Sequence, residues 1–266
     1  MGHQRLGKLP ARRLLPEIVR YLVAGGTPTD DLVDQVTRIG QDALKCAQKD
    51  PLFIEALWLL ARLPQAVGSP DILGMFREMG LPEKIPSTMT EMLVAYDGAL
   101  ERFQRRQHAD VTDLGEIARR AGLSALGEAI RDRLPSLWQP TADDLRTTVS
   151  TLKGTEPFAA MAHRFYANFV ERIIHYYVDR NLHNMVGMGR VARSVADLRT
   201  FDEAIRRHCD EAALIMRAFA RDWMGKNHYR DGRPITRQDM GRFSAYAVEK
   251  IRHELDQRKG RRKDVS

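Results

Sequence analysis

Phe158-Ala159-Ala160-Met161-Ala162-His163-Arg164-Phe165-Tyr166-Ala167-Asn168-Phe169-Val170-Glu171-Arg172-Ile173-Ile174-His175-Tyr176-Tyr177-Val178-Asp179 is the stretch on which the fold turns. Phe158, Met161, Ala162, Phe165, Phe169, Ile173 and Tyr176 recur at spacings of three and four, as one face of a helix does. Arg164, Asn168, Glu171, Arg172, His175 and Asp179 fall on the opposite face. Gly187 and Gly189 are placed to end this helix. A second long helix is predicted from about Asp197 to Met224, with Phe201, Ile205, His208, Ala212, Ile215 and Phe219 along its apolar stripe. A polar loop from Gly225 to Ile235 then leads to a third. There Thr236 and Asp239 have capping-box spacing, and Met240, Phe243, Ala247, Ile251 and Leu255 form the core face. Three such amphipathic helices make a bundle.

Working back towards the amino terminus, Gly154 is the best boundary. Thr141 is set to cap a helix to about Lys153, with Asp143 and Asp144 in its first turn, where the helix dipole favours carboxylates. Asp113 to Leu134 reads as a helix weakened or interrupted by Gly115, Gly122 and Gly127. Another is expected at about 88–107. Residues 64–87 contain Pro64, Gly68, Pro70, Gly80, Pro82 and Pro86, and read as a connector around one short helix, Ile72–Met79. Pro51 opens a helix carrying Leu57, Trp58, Leu59, Leu60 and Leu63. It is apolar on most sides and so belongs at the centre of the first half. Before it, Thr29 is placed to cap a helix holding Leu32, Val33, Val36, Ile39, Ala43, Leu44 and Ala47, and Pro16 opens a short one ending at Gly25-Gly26. No alternating pattern longer than four residues suggests a strand. The expected fold is all-α with two helical subdomains. Residues 1–153 form the first, with a basic amino-terminal arm. Residues 154–258 form a bundle of three long helices, and 259–266 a basic tail.

The 266 residues suffice for one large domain or two modest ones. Charge is unevenly placed: from Phe158 onward 22 Lys and Arg face 14 Asp and Glu, whereas before it 20 face 21. Most of the cations are Arg, which suits bidentate contact with carboxylates or phosphates, and which a GC-rich genome produces equally well. Cys46 and Cys209 are far apart and form no C-x-x-C, so free thiols in a reducing cytoplasm are expected. The apolar stretch after Arg12 and Arg13 is broken by Glu17 and Arg20, unlike a signal peptide. Leu6 stands where a myristoylation signal needs Ser or Thr. The most apolar run, Pro51 to Leu63, contains Glu55 and Arg62 and is too short to span a bilayer. No membrane association and no cofactor are expected.

Several groupings are candidates for chemistry. Glu171, His175 and Asp179 stack along one helix face, a spacing that can offer ligands to a divalent metal; a salt-linked solvated stripe is the plainer reading, and no metal site is assigned. His208 neighbours Cys209, but adjacent helical residues point about 100° apart, so a hydrogen-bonded core histidine explains it better. Gly187-Met188-Gly189-Arg190-Val191-Ala192 imitates a dinucleotide fingerprint yet follows a helix rather than a strand. Arg190 and Arg193 remain candidate anion contacts. In the expected loop, Lys226, His228, Tyr229, Arg230 and Arg233 combine cations with an aromatic ring, as phosphate binding and base stacking require. Arg258, Arg261 and Arg262 add a basic end that would neutralise phosphates. Arg102-Phe103-Gln104-Arg105-Arg106-Gln107-His108 has the Arg-to-His spacing shared by helical ribonucleases of the HEPN class, a match so many arginines yield by chance. No Ser/His/Asp order, P-loop or carboxylate pair is present, so no catalytic residue is assigned.

The opening Met1-Gly2-His3-Gln4-Arg5-Leu6-Gly7-Lys8-Leu9-Pro10, with His208-Cys209-Asp210-Glu211-Ala212 and Asp222-Trp223-Met224-Gly225-Lys226-Asn227-His228-Tyr229, resembles a group of bacterial all-helical proteins opening MGxQRLGxLP. The resemblance covers most of the chain. It implies a bacterial source and a single architecture, and carries no activity and no catalytic residues. By analogy, helical proteins of this kind serve as accessory subunits of multi-gene systems, genome and antiviral defence among them. The leading expectation is a non-enzymatic cytoplasmic adaptor that binds a protein partner. A DNA- or RNA-binding module, and a metal-dependent or HEPN-like nuclease, are the alternatives.

Overall fold

The protein is described by a computed structural model covering residues 43–107, 112–135, 139–181, 195–230 and 234–263; side chains 177–181, 195–202, 204, 208, 212, 227–230 and 251–263 lie outside the description. The expected helices at Pro16 and Thr29 fall outside the described residues, apart from a helical segment at 43–47. There Ala43, Leu44 and Ala47 are buried as the pattern requires.

Eight helices follow among the described residues: α1 (Pro51–Val67), α2 (Ile72–Met79), α3 (Met89–Arg106), α4 (Asp113–Arg131), α5 (Ala142–Thr151), α6 (Thr155–Asn181), α7 (Val195–Arg230) and α8 (Arg237–Lys263). The fold is all-α, and the described residues contain no strand. None of their helices is long and apolar enough to cross a membrane.

Local chemistry sets the helix starts. The Asp50 carboxylate accepts from the backbone amides of Leu52 and Phe53 at 2.8 and 3.3 Å, and Pro51 occupies the first position, where its missing amide costs nothing. Thr112 caps α4 through Gly115 and also donates to the second Asp50 oxygen, so two helix starts are tied together. The capping boxes at Thr141/Asp144 and Thr236/Asp239 both form. Gly80 ends α2 with φ +70°, a backbone that suits glycine, and Arg102 Nε donates to its carbonyl at 2.6 Å.

Two of the helices before Gly154 differ in detail from expectation. Helix α1 continues through Pro64 to Val67. Proline removes one backbone bond, but the extra turn buries Ala66 and Val67 completely, which offsets that loss. Helix α4 is not interrupted by its glycines. They mark close approach: a Cβ built on Gly122 would lie 2.1 Å from the Tyr96 hydroxyl, and one on Gly115 would lie 3.2 Å from Leu52 Cβ.

Helix α1 is central. It packs against α2, α3, α4, α5, α6 and α8, and Phe53, Ala56, Leu57, Leu59, Leu60 and Leu63 are wholly buried. The most extensive pairing is α6 with α7, followed by α4 with α6. Phe53 of α1 enters an aromatic cluster on α6, with ring centroids 4.8 Å from Phe169, 5.2 Å from Phe165 and 6.1 Å from Tyr166. A second cluster joins Phe158, Phe219, Trp223 and Phe243 from α6, α7 and α8. The core therefore crosses Gly154 without a break, and α8 packs on α1 as well as on α7.

Candidate functional site

The carboxy-terminal cations were the sequence's pointer to a binding surface, and the helices determine where they sit. Helix α7 runs through Lys226, His228 and Tyr229 to Arg230, correcting the loop expected from Gly225. A lone glycine costs a helix only about 1 kcal/mol, which the flanking helical residues absorb, and a Cβ built on Gly225 would meet nothing within 4 Å, so this glycine marks no close approach. Lys226 is exposed near the end of α7. Arg190, Arg193 and Arg233 lie outside the described residues. Helix α8 continues past Arg258, Arg261 and Arg262 to Lys263. Arg258 therefore lies about 30 Å along the α8 axis from Arg237, at the opposite end from α7's last turn. The backbone does not gather these two groups into one place.

Several arginines of the second half already pair with side chains of the same chain. Arg217 and Arg221 both reach Glu156, at 3.5 and 3.3 Å. Arg164 pairs with Asp132 and stands 3.6 Å from Glu128 on α4. Arg172 donates to Ser124 at 2.9 Å.

On α7 the buried line is Ile205, Cys209, Ala213, Met216, Ala220 and Met224. The outward side is charged with both signs. Arg206, Arg207, Arg217, Arg221 and Lys226 are exposed, and so are Glu203, Asp210, Glu211 and Asp222. Leu214 stands among them 50% exposed. Asp210 and Glu211 lie one turn before it, Arg217 and Ala218 one turn after.

The other metal and acid–base candidates lie only partly within the described residues. Glu171 and His175 approach to 3.8 Å. Burial pushes the Glu171 carboxyl above its usual range, although His175, Arg172 and Arg206 oppose the shift. Asp179 and His208 have side chains outside the description, and among the described residues no three His, Cys, Asp or Glu side chains form a metal-ligating group. Cys209 is buried, and burial, aided by the negative charge of Glu171 and Asp210, drives its thiol far up. Arg102, the arginine of the ribonuclease-like string, is bound to the Gly80 carbonyl; His108 lies outside the described residues.

Two contacts in the structure correspond to no sequence motif. His163 Nε2 donates to the Asp210 carbonyl at 2.9 Å, joining α6 to α7. The second is more elaborate. Glu55 is completely buried in α1, and Arg237, the first residue of α8, grips its carboxylate with Nε and Nη2, the latter at 2.7 Å. The Arg237 guanidinium lies 3.7 Å from the Trp58 ring centroid and 5.7 Å from that of Phe103. Trp58 Nε1 donates to the Ile235 carbonyl at 2.8 Å. Beneath, the Tyr96 hydroxyl donates to the Ala56 carbonyl at 2.9 Å, and burial first, then the charges of Glu55 and Asp97, raise its pKa well above the usual phenol value. Glu55 escapes a sequence reading because its partner is 182 residues away.

No family model, curated protein or solved structure matches the chain.

Proposed function

We propose that the protein is a non-enzymatic helical adaptor that binds another protein through the outward side of α7, as one part of a multi-component assembly. The observation that carries this reading is Leu214. It is a half-exposed apolar side chain between acids on one side and a cation on the other. An apolar centre within a mixed-sign rim is what a protein surface complements. Asp210 and Glu211 would repel a phosphate backbone.

The test is size-exclusion chromatography with light scattering on the complex purified from its native host, for wild type and Leu214→Glu. A heteromeric complex that the substitution dissociates, with unchanged circular dichroism, is expected. A solitary wild-type chain, or a complex indifferent to Leu214→Glu, would overturn the proposal.

A nucleic-acid reading draws on α8 instead, where 9 Lys and Arg stand against 4 Asp and Glu between residues 237 and 263. It requires binding that weakens steeply with salt. No binding to single- or double-stranded DNA or RNA at low salt would dismiss it.

A further inference from the structure

We propose that Glu55, Trp58 and Phe103 form a guanidinium-binding cage which the chain keeps closed with its own Arg237, and that an arginine side chain of a partner protein is the competing ligand. The proposal rests on the protein-binding reading above only for the source of that arginine.

The cage is built before its occupant is considered. Glu55 sits wholly buried amid the apolar residues of α1, where an unaccompanied carboxylate is costly to hold. Its two oxygens accept a forked donor, which a planar guanidinium supplies and a lysine ammonium does not. The Trp58 face completes the selection, since a flat cation stacks on it at 3.7 Å.

The site is entered from outside. The carboxylate is fully buried, whereas the Arg237 side chain that closes it is 42% exposed. The cation therefore plugs the mouth of the cage and is not part of its wall.

The occupant can also leave without unfolding α8. Thr236 and Asp239 cap the helix independently of Arg237, and Trp58 Nε1 holds the Ile235 carbonyl through a separate bond. Met240, Phe243, Ala247 and Val248 keep the helix seated. Moreover, Arg237 occupies the first helical position, where the helix dipole disfavours a cation. The cage, not the helix, holds it there. A tethered arginine competes at high effective concentration, so the closed state is the default and a partner must supply its arginine at close quarters.

The experiment uses Arg237→Gln in the full chain, which removes the plug and keeps the helix. Ethylguanidinium, ethylammonium and the peptide amides acetyl-Ala-Arg-Ala and acetyl-Ala-Lys-Ala are the probes, followed by calorimetry and melting temperature at non-denaturing concentrations. The variant is expected to melt below wild type. Ethylguanidinium and the arginine peptide should bind it saturably and recover part of that loss, each at least about tenfold tighter than its ammonium counterpart and than to wild type, because the plug competes there. Adding Glu55→Gln should abolish the binding. Absence of saturable binding to a folded Arg237→Gln, equal response to guanidinium and ammonium, or equal binding to wild type would overturn the cage. Should Arg237→Gln fail to fold, recovery of structure with ethylguanidinium but not ethylammonium supports the proposal, and no recovery refutes it. If only the peptide arm fails, the cage takes small guanidinium ions and the partner-arginine claim falls. The Leu214→Glu test reads a different helix, so either proposal can fail alone.

Discussion

Gly122→Ala is the sharpest test of the packing, because two simple arguments give opposite signs for it. Alanine is the better helix former by about 1 kcal/mol, so propensity alone predicts a gain in stability. The structure predicts a loss. A methyl group at Gly122 would lie 2.1 Å from the Tyr96 hydroxyl oxygen and 3.0 Å from the ring carbon that bears it. Tyr96 is fully buried and cannot swing into solvent. Moving it breaks the 2.9 Å bond to the Ala56 carbonyl, worth about 1 kcal/mol, and overpacking adds roughly 1–3 kcal/mol. Set against the propensity gain, the net is a destabilisation of about 2 kcal/mol, or on the order of 4–8 °C in melting temperature for a chain near this size. Urea and thermal melts followed by circular dichroism at 222 nm measure it. Tyr96→Phe removes the offending oxygen, so Gly122→Ala combined with Tyr96→Phe should be less damaging than the two single effects added together. A Gly122→Ala protein at least as stable as wild type would refute the close α3–α4 contact on which this reasoning stands.

Three further outcomes concern ionisable groups. Cys46 is exposed, so it should react rapidly with a thiol reagent, one equivalent per chain, while Cys209 reacts only on unfolding; two fast equivalents in the native protein would contradict the burial of Cys209. Its thiol is raised on folding, so its contribution to stability is complete below the ordinary thiol pKa and declines as pH climbs beyond about 9, which Cys209→Ala should flatten in an alkaline melting series. Glu171 is likewise raised by burial, so the folded state holds its proton more tightly than the unfolded one. Wild type should therefore gain on Glu171→Gln as pH falls from 7 towards 4, and a melting series showing the gap moving the other way would disprove the assignment.

Much of the helical frame could be read from spacing, because burial of one helix face imposes a period that local sequence records. Phe158, Met161, Ala162, Phe165, Phe169 and Ile173 are all buried as their spacing requires. Ile72–Met79 and the Thr236/Asp239 box also lie where turn and capping residues place them. What the period misses is coverage from a second side. Tyr166, Ala167 and Ile174 are buried too, since α6 is packed by both α4 and α7, and its polar face is half-covered as a result. Gly122 read as a weak point in α4, because sequence cannot show that Tyr96 lies across it. Lys226 to Arg230 read as a loop, because a glycine followed by polar residues looks alike in a turn and in the last turn of a helix. The candidate site was least legible of all. Leu214 is one apolar residue among many until neighbouring helices leave it uncovered, and Glu55 looks like a stray charge until a cation from the far end of the chain closes over it.

That last pairing has a consequence for synthesis. Glu55 and Arg237 are separated by 182 residues. At roughly 5–20 residues per second, a ribosome leaves the acid without its mate for about 10–35 s. During that interval a buried Glu55 would have no cation beside it, so the nascent chain must keep this stretch of α1 in contact with water, and final closure of the central helix waits for Arg237 to emerge.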